Sequence, residues 1–144
     1  MKKIFSLFLF VLTIVGCADN SKKNTSASDS SEDDNGQAII SFSSYEHDFG
    51  TINEGDVLSY FFQFTNTGTG PLVINSANAS CGCTVPKYDN KPIKPGESGL
   101  VEVRFNSSGT EGHQTKTITV MSNAEPEVVI LKISADVIIN YIND

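Results

Sequence analysis

The amino-acid sequence predicts an all-β domain, and three observations support that fold class. Apolar and polar side chains alternate with period two across residues 38–137, as they do in half-buried strands. Clusters of Gly, Pro, Asn and Asp separate these segments at intervals of about 8 to 12 residues. No stretch of this region combines helical apolar spacing with helix caps. About seven short strands of this kind predict an immunoglobulin-like β-sandwich.

The predicted strands begin with AIISFSS and DVLSYFFQFTN. In the second segment Phe62 and Phe64 fall on one face, so we expect both side chains to lie between the sheets, whereas Phe61 breaks the alternation. The segment PLVINSA and the stretch around the cysteines supply two further strands. The last three segments are LVEVRFN, TKTITVMS and VVILKISADV. Their alternation predicts these inward-facing residues: Val101, Val103, Phe105, Ile118, Val120, Val129, Leu131, Ile133 and Ala135.

The triplet Asp48-Phe49-Gly50 lies between the first two predicted strands, and we interpret it as structural. We expect Phe49 to close one end of the sandwich, Gly50 to permit a turn, and Asp48 to bond nearby backbone amides. The same triplet occurs in protein kinases, but no glycine-rich loop or catalytic loop accompanies it here.

The first 16 residues have the pattern of a secretory signal peptide. Two lysines precede an apolar run at residues 4–15, which is shorter than the roughly 20 residues of a transmembrane helix. The run ends in IVGC, which resembles the bacterial lipobox. That resemblance implies lipidation of Cys17, and removal of 16 of the 144 residues leaves a mature chain of 128. Two or three acyl chains would anchor it stably to a membrane.

Residues 18–37 are rich in Ser, Asn, Asp and Lys, which predicts a flexible tether. The chain thus divides into a signal peptide (1–16), a lipidated cysteine with its linker (17–37) and a sandwich domain (38–144). Loss of the two N-terminal lysines takes the formal net charge from −7 to −9. An acidic chain without a basic patch argues against a nucleic-acid partner. We expect a location in the cell envelope, facing the periplasm or at the cell surface, where cysteines stay oxidised.

The stretch NASCGCTVPKYDN places Cys81 and Cys83 one residue apart, in a chain with one other cysteine. In an extended strand both sulfurs would face the same side, with Cα atoms about 6.5 Å apart. That spacing is at the long end of disulfide geometry, so a bridge would be strained, and Gly82 would have to shorten the span. Four interpretations stay open: structural residues or a local disulfide, a metal site, a thiol–disulfide exchange site, and a contact with a partner.

A metal at this pair would be Cu(I) or Zn, because soft thiolate ligands favour those ions. A closed zinc site needs four ligands, and His47 and His113 are the remaining nitrogen donors, although surface positions would explain both. Apart from this candidate metal ion, we expect no cofactor. The sequence has no Gly-x-Ser-x-Gly elbow and no carboxylate pair spaced for acid/base chemistry, so we expect a protein that is not an enzyme.

Four blocks follow one another along the domain: HDFGTINEGD, FFQFTNTGTGPLVINSANASCGCT, PIKPGESGLVEVRF and KTITVMSNAEP. Together they resemble the bacterial domain-of-unknown-function 1573 family over Ser41 to Val137. The resemblance implies a compact Ig-like sandwich, distantly similar to the major-sperm-protein and cilium-associated domains. It also implies an exported protein or lipoprotein of the kind found in Bacteroidetes, and it implies no activity.

These features predict a lipid-anchored envelope protein whose Ig-like domain binds an envelope protein or a glycan. The alternative is a metal-binding or thiol-redox role for the cysteine pair. The C-terminal IINYIND departs from the family pattern, since Val137, Ile139 and Tyr141 would share one face, and Ile138 and Ile142 the other. We expect this segment either to pack on the rim of the sandwich or to pair with a second chain in a homodimer.

Overall fold

The structure, a computed structural model, describes residues 36–139, and within them every regular element is a β-strand. Eight strands follow in chain order: β1 (Ile40–Phe42), β2 (Glu46–Asn53), β3 (Val57–Asn66), β4 (Ile74–Ala79), β5 (Thr84–Tyr88), β6 (Ser98–Asn106), β7 (Gly112–Ser122) and β8 (Val128–Ile138). The predicted all-β class is therefore confirmed. In this part of the chain no helix has the length and apolarity to cross a membrane. The signal peptide, Cys17 and nearly all of the linker lie outside the described residues.

The strands form two four-stranded sheets. The first sheet has the order β1-β3-β6-β5, and the second has the order β2-β8-β7-β4. All neighbouring strands are antiparallel except β2 and β8, which run parallel. The chain changes sheet at every connection except those from β5 to β6 and from β7 to β8. One antiparallel sheet and one mixed sheet, joined by such crossings, make the Ig-like sandwich that the sequence predicts.

The inner faces of the two sheets meet in one apolar core. Phe62 and Phe64 are each 1% exposed, as the alternation predicts. All of the inward-facing residues predicted for the last three segments are buried as well. Phe61 faces away from the core and is 52% exposed. Burial of this apolar surface is the main source of the stability of the sandwich.

β2 is the strand that the sequence prediction of about seven strands leaves out. Ile52 is its one fully buried residue, and the alternation of exposed and half-buried side chains over residues 46–50 is interrupted before it. A β-bulge between Asp48 and Thr51 contains Gly50 at a φ of 69°, and the Gly50 N–H donates to Asp48 Oδ1 at 2.9 Å. Gly50 therefore bends a strand rather than forming a turn between strands, while Phe49 packs against the core.

Asn66, at the end of β3, organises two loops, a role that the sequence does not predict. Its side chain is buried, and Nδ2 donates to the carbonyls of Gly70 at 2.8 Å and Ile93 at 2.9 Å. Its Oδ1 accepts from the N–H of Gly68 at 3.0 Å. A buried amide with these partners ties both loops to the first sheet.

The last strand lies inside the second sheet, between β2 and β7. It is paired on both sides, with Val137 buried and Ile138 and Ile139 exposed. From Lys132 to Ile138, β8 therefore offers no free edge to a second chain. The homodimer stays a prediction, and it would have to involve residues 140–144, which lie outside the described residues.

Candidate functional site

Cys81 and Cys83 lie in the turn that carries the chain from β4 in the second sheet to β5 in the first. They form a disulfide, and their Cα atoms are 5.4 Å apart. The sequence predicts a short strand at the cysteines, but residues 81–83 form a turn and β5 begins at Thr84. The turn brings the Cα atoms closer than the roughly 6.5 Å of an extended segment, and so allows the bridge to form.

Backbone hydrogen bonds from both sheets hold this turn in place. On the β4 side, the Ser80 N–H donates to the carbonyl of Thr117 in β7 at 2.9 Å. On the β5 side, the Asn106 N–H of β6 donates to the carbonyl of Cys83, also at 2.9 Å. The position of the two cysteines is thus fixed by the sheets and not by the disulfide alone.

Thr84 is a buried polar residue in contact with both sulfur atoms. It is 3% exposed, and its Oγ1 lies 3.6 Å from Cys81 Sγ and 3.9 Å from Cys83 Sγ. Within residues 36–139 these sulfurs are the only hydrogen-bond partners of the hydroxyl. A sulfur atom is a weak acceptor, so the buried hydroxyl lacks a strong partner while the bridge is closed.

A cleft of about 400 Å³ opens beside Cys83 on the outer side of the first sheet. Val57 and Val85 form apolar parts of its wall, while Lys87 and Arg104 supply positive charge. No Asp or Glu lines the cleft, and neither cation forms an ion pair with another described residue. The lining of the cleft is therefore positively charged, although Glu102 is the cross-strand partner of Lys87 and the chain as a whole is acidic.

A second and more open groove, of about 740 Å³, adjoins this cleft because Lys87 lines both. Phe61 and Leu100 are its exposed apolar residues, and Asp89 and Glu97 bring negative charge. Together the two depressions follow the outward-facing side of β3, β6 and β5, which we call the outer face. The large apolar side chains exposed on the outer face are Val57, Phe61, Val85 and Leu100.

The second sheet carries its own exposed apolar group, formed by Met121, Val128 and Ile130. Met121 and Val128 are cross-strand partners, and Ile130 follows on the same side of β8 at 60% exposure. This group offers a matched comparison for the outer face, because it presents similar side chains on the opposite side of the sandwich.

The structure does not bring the two histidines to the cysteines. His47 stacks on Tyr60 with ring centroids 3.6 Å apart, and His113 Nδ1 lies 2.8 Å from Asp136 Oδ1. Residues 36–139 contain no group of three or more His, Cys, Asp or Glu side chains that could hold a metal ion. The metal site considered for the cysteines and histidines is therefore not assembled in this part of the chain.

The pKa of His47 is lowered from its ordinary value of 6.5. Burial lowers the pKa because desolvation penalises the charged imidazolium, and the Asp48 carboxylate offsets part of this effect by raising it. The folded protein therefore favours a neutral His47 in its stack with Tyr60.

Sequence reasoning identifies the cysteines but not their surroundings. Alternation predicts an outward-facing Arg104, but it does not show that β5 and β6 are neighbours with Val85 opposite Arg104. The cleft depends on that pairing, which joins residues that are far apart in the chain. The role of Thr84 has one indication in the sequence, which is that this hydroxyl residue directly follows Cys83.

Comparison with known proteins gives a family but no activity. A family model described as protein of unknown function (DUF1573) matches residues 40–137. Curated proteins give no match.

Several solved structures have a similar fold. A protein of unknown function from Porphyromonas gingivalis W83 has 21% identity and a TM-score of 0.61, covering 69% of this chain and 47% of that one. PapD-like domain 7 of human CEP192 has 11% identity and a TM-score of 0.56, covering 91% and 99%. The VesB protease of Vibrio cholerae has 16% identity and a TM-score of 0.56, covering 69% and 32%. The chain thus spans less than half of the P. gingivalis and VesB chains, and at these identities the likeness shows the fold alone.

Proposed function

This chain belongs to the family of proteins of unknown function DUF1573, and we propose that it is a lipid-anchored protein of the cell envelope whose Ig-like domain binds another protein. Binding takes place through the outer face of the first sheet, and the domain carries out no hydrolysis or group transfer there. The lipobox-like sequence before Cys17 supplies the anchor, and the polar linker holds the domain away from the membrane.

The observation that carries this proposal is the grouping of large apolar side chains on the outer face. Val57, Phe61, Val85 and Leu100 are each about half exposed, and they lie along two adjoining depressions. Scattered single apolar residues are normal on a protein surface, but a group of them beside a groove is typical of an interaction site.

The charges around this group favour a protein as the partner. Around the two depressions, positive charge comes from Lys87, Lys91 and Arg104, and negative charge comes from Asp89, Glu97 and Glu102. An aromatic and aliphatic centre with a charged rim of both signs is the usual composition of a protein–protein interface. We therefore favour an envelope protein over a glycan.

The geometry of β5 favours binding to the face of the sheet rather than to its edge. β5 is an edge strand, and the carbonyl of Cys83 accepts from the Asn106 N–H of β6. The backbone N–H and C=O groups of odd-numbered residues therefore point toward β6, and those of even-numbered residues point to the open edge. The nitrogen of Pro86 then points to the open edge, where it has no hydrogen to donate. A partner strand could not form a continuous ladder there.

The experiment compares full-length variants in cell membranes that are solubilised in mild detergent. The variant Phe61→Asp/Leu100→Asp places charge on the outer face, and Ile130→Asp places charge on the equally exposed group of the second sheet. We expect the wild type and Ile130→Asp to migrate in a native separation as a complex larger than the monomer. The outer-face variant should migrate as a monomer, with an unchanged melting temperature.

Three results would contradict the proposal. The first is a wild-type chain that migrates as a monomer. The second is a complex that survives in the outer-face variant and is lost in Ile130→Asp. Conversion of the wild-type complex to a monomer by glycan-degrading enzymes, but not by proteases that spare this chain, would show that the partner is a glycan.

A further inference from the structure

The Cys81–Cys83 bridge closes a ring that the fold does not need. The two cysteines are separated by two positions in the chain, so the bridge restricts very little of the unfolded chain. The hydrogen bonds of Ser80 to β7 and of Cys83 to β6 hold the turn in the oxidised protein without help from the sulfurs. Opening the bridge should therefore leave both cysteines in place.

Both cysteines are half-buried and Cys83 also packs against the core, so an incoming thiol approaches the bridge from Gly82 and the cleft. Gly82, between the cysteines, is exposed, and a Cβ placed on it would meet no atom within 4 Å. Cys83 lines the cleft of about 400 Å³, which gives a second molecule access to its side of the bridge. A disulfide that serves only to hold a fold is usually packed away from solvent and is resistant to reduction.

Lys87 and Arg104 make the approach favourable for an anion. Both cations line the cleft with Cys83, and the lining contains no Asp or Glu. The thiolate is the nucleophile in thiol–disulfide exchange, and neighbouring cations stabilise it relative to the thiol. The same charges would stabilise the thiolate that is released when the bridge opens.

Thr84 supplies a hydrogen-bond donor at the position where that thiolate forms. Its buried hydroxyl lies 3.6 Å from Cys81 Sγ and has no stronger acceptor within residues 36–139. A thiolate accepts a hydrogen bond far better than a disulfide sulfur does. Opening of the bridge thus satisfies a buried hydroxyl that the closed form leaves with weak partners.

From these contacts we propose that Cys81 and Cys83 are a thiol–disulfide exchange site that accepts two electrons from a dithiol protein of the cell envelope. A thiolate of the partner attacks Cys83 Sγ, the S–S bond breaks, and Cys81 leaves as a thiolate held by the Thr84 hydroxyl. The second thiol of the partner, after losing its proton, attacks the partner sulfur of the mixed disulfide and releases Cys83 as a thiolate. The partner ends with one disulfide, and Cys81 and Cys83 take up two protons as thiols.

The exchange site shares its cleft and Arg104 with the outer face. Its test uses small-molecule reductants and needs no partner protein, so each proposal can fail without the other. The test uses the full chain with Cys17→Ser in every variant, which leaves Cys81 and Cys83 as its only cysteines. The rate of opening by reduced glutathione and by dithiothreitol is followed by alkylation and mass measurement. Without reductant, we expect both cysteines to resist alkylation.

Three variants test the assigned roles. Thr84→Val, which keeps the shape of the side chain, should slow opening on the order of threefold to tenfold because the leaving thiolate loses its donor, and Thr84→Ser should restore the rate. Arg104→Gln should slow opening by glutathione by about the same factor. The matched controls are Thr119→Val on β7 and Lys94→Gln in an exposed turn, and both should react like the wild type.

Single-cysteine variants identify the attacked sulfur. Cys83 in the Cys81→Ser variant should form a mixed disulfide with oxidised glutathione about tenfold faster than Cys81 does in the Cys83→Ser variant, because Cys83 lines the cleft. The proposal would be overturned by free thiols in the untreated wild type. Equal opening rates for the wild type, Thr84→Val and Arg104→Gln would overturn it too.

Discussion

Phe61 and Phe62 are adjacent in the chain, yet they contribute to different properties of the protein. The side chain of Phe62 points into the core and is 1% exposed, whereas Phe61 points outward and is 52% exposed. The pleat of β3 sends consecutive side chains to opposite sides, so one phenylalanine stabilises the sandwich and its neighbour remains available for binding.

Removal of either inner phenylalanine should destabilise the fold strongly. Phe62→Ala or Phe64→Ala should lower the free energy of unfolding by about 3 to 5 kcal/mol, since each leaves a cavity between the sheets. Phe61→Ala is the matched control and should cost less than about 1 kcal/mol. Denaturant melts measure all three, and a similar loss for Phe61 and Phe62 would show that the assigned faces are wrong.

His47 should make the folded protein less stable at acidic pH. Because its pKa is lowered on folding, the native state binds fewer protons than the unfolded state between the folded pKa and 6.5. The free energy of unfolding is therefore unaffected by His47 above 6.5 and falls as the pH drops from 6.5 through the folded pKa. His47→Phe should lose less stability than the wild type between about pH 7.5 and about pH 5. Equal losses in denaturant melts would contradict this.

At the scale of single elements, the sequence predicts the strands whose side chains alternate about the core. β3, β6 and β8 show this pattern, because every second residue packs between the sheets. In β2 the bulge at Gly50 interrupts the alternation, and the strand is positioned by parallel pairing with β8, far along the chain. Period-two alternation cannot reveal a strand whose position is set by pairing with a distant strand and whose path is bent at a glycine.

The same limit applies to the candidate site. The spacing of Cys81 and Cys83 places a disulfide at the long end of the allowed Cα distances, so a local disulfide is one of several interpretations that the sequence leaves open. The turn that holds them depends on hydrogen bonds from β6 and β7, and the cleft depends on the pairing of β5 with β6. Those contacts join distant parts of the chain, so residue spacing near the cysteines carries no sign of them.

The turn from β4 to β5 should survive reduction. Loss of the disulfide should lower the free energy of unfolding by about 1.5 kcal/mol or less, because a ring of three residues contributes little chain entropy. Denaturant melts of the oxidised protein, the reduced protein and Cys81→Ser/Cys83→Ser measure this cost. Global unfolding on reduction would show instead that the bridge holds the two sheets together.

At the scale of the whole molecule, we propose that Cys17, which lies outside the described residues, carries a lipid anchor. Cys17→Ser should abolish lipidation and move the protein from the membrane fraction to the soluble fraction, since the apolar run before it is too short for a permanent membrane span. The measurement is fractionation with a carbonate wash. A Cys17→Ser chain that still sediments with membranes would contradict the lipoprotein assignment.

The central claim, that the outer face of the first sheet contacts a partner protein in the envelope, is tested most directly by cross-linking in living cells. A photoreactive amino acid replaces Phe61 in one full-length chain and Ile130 in another, so that equally exposed positions on opposite sheets are compared. We expect illumination to give a discrete, protease-sensitive adduct from position 61, and the Arg104→Gln change to weaken it. An adduct from position 130 alone, or equal adducts from both positions, would contradict the claim.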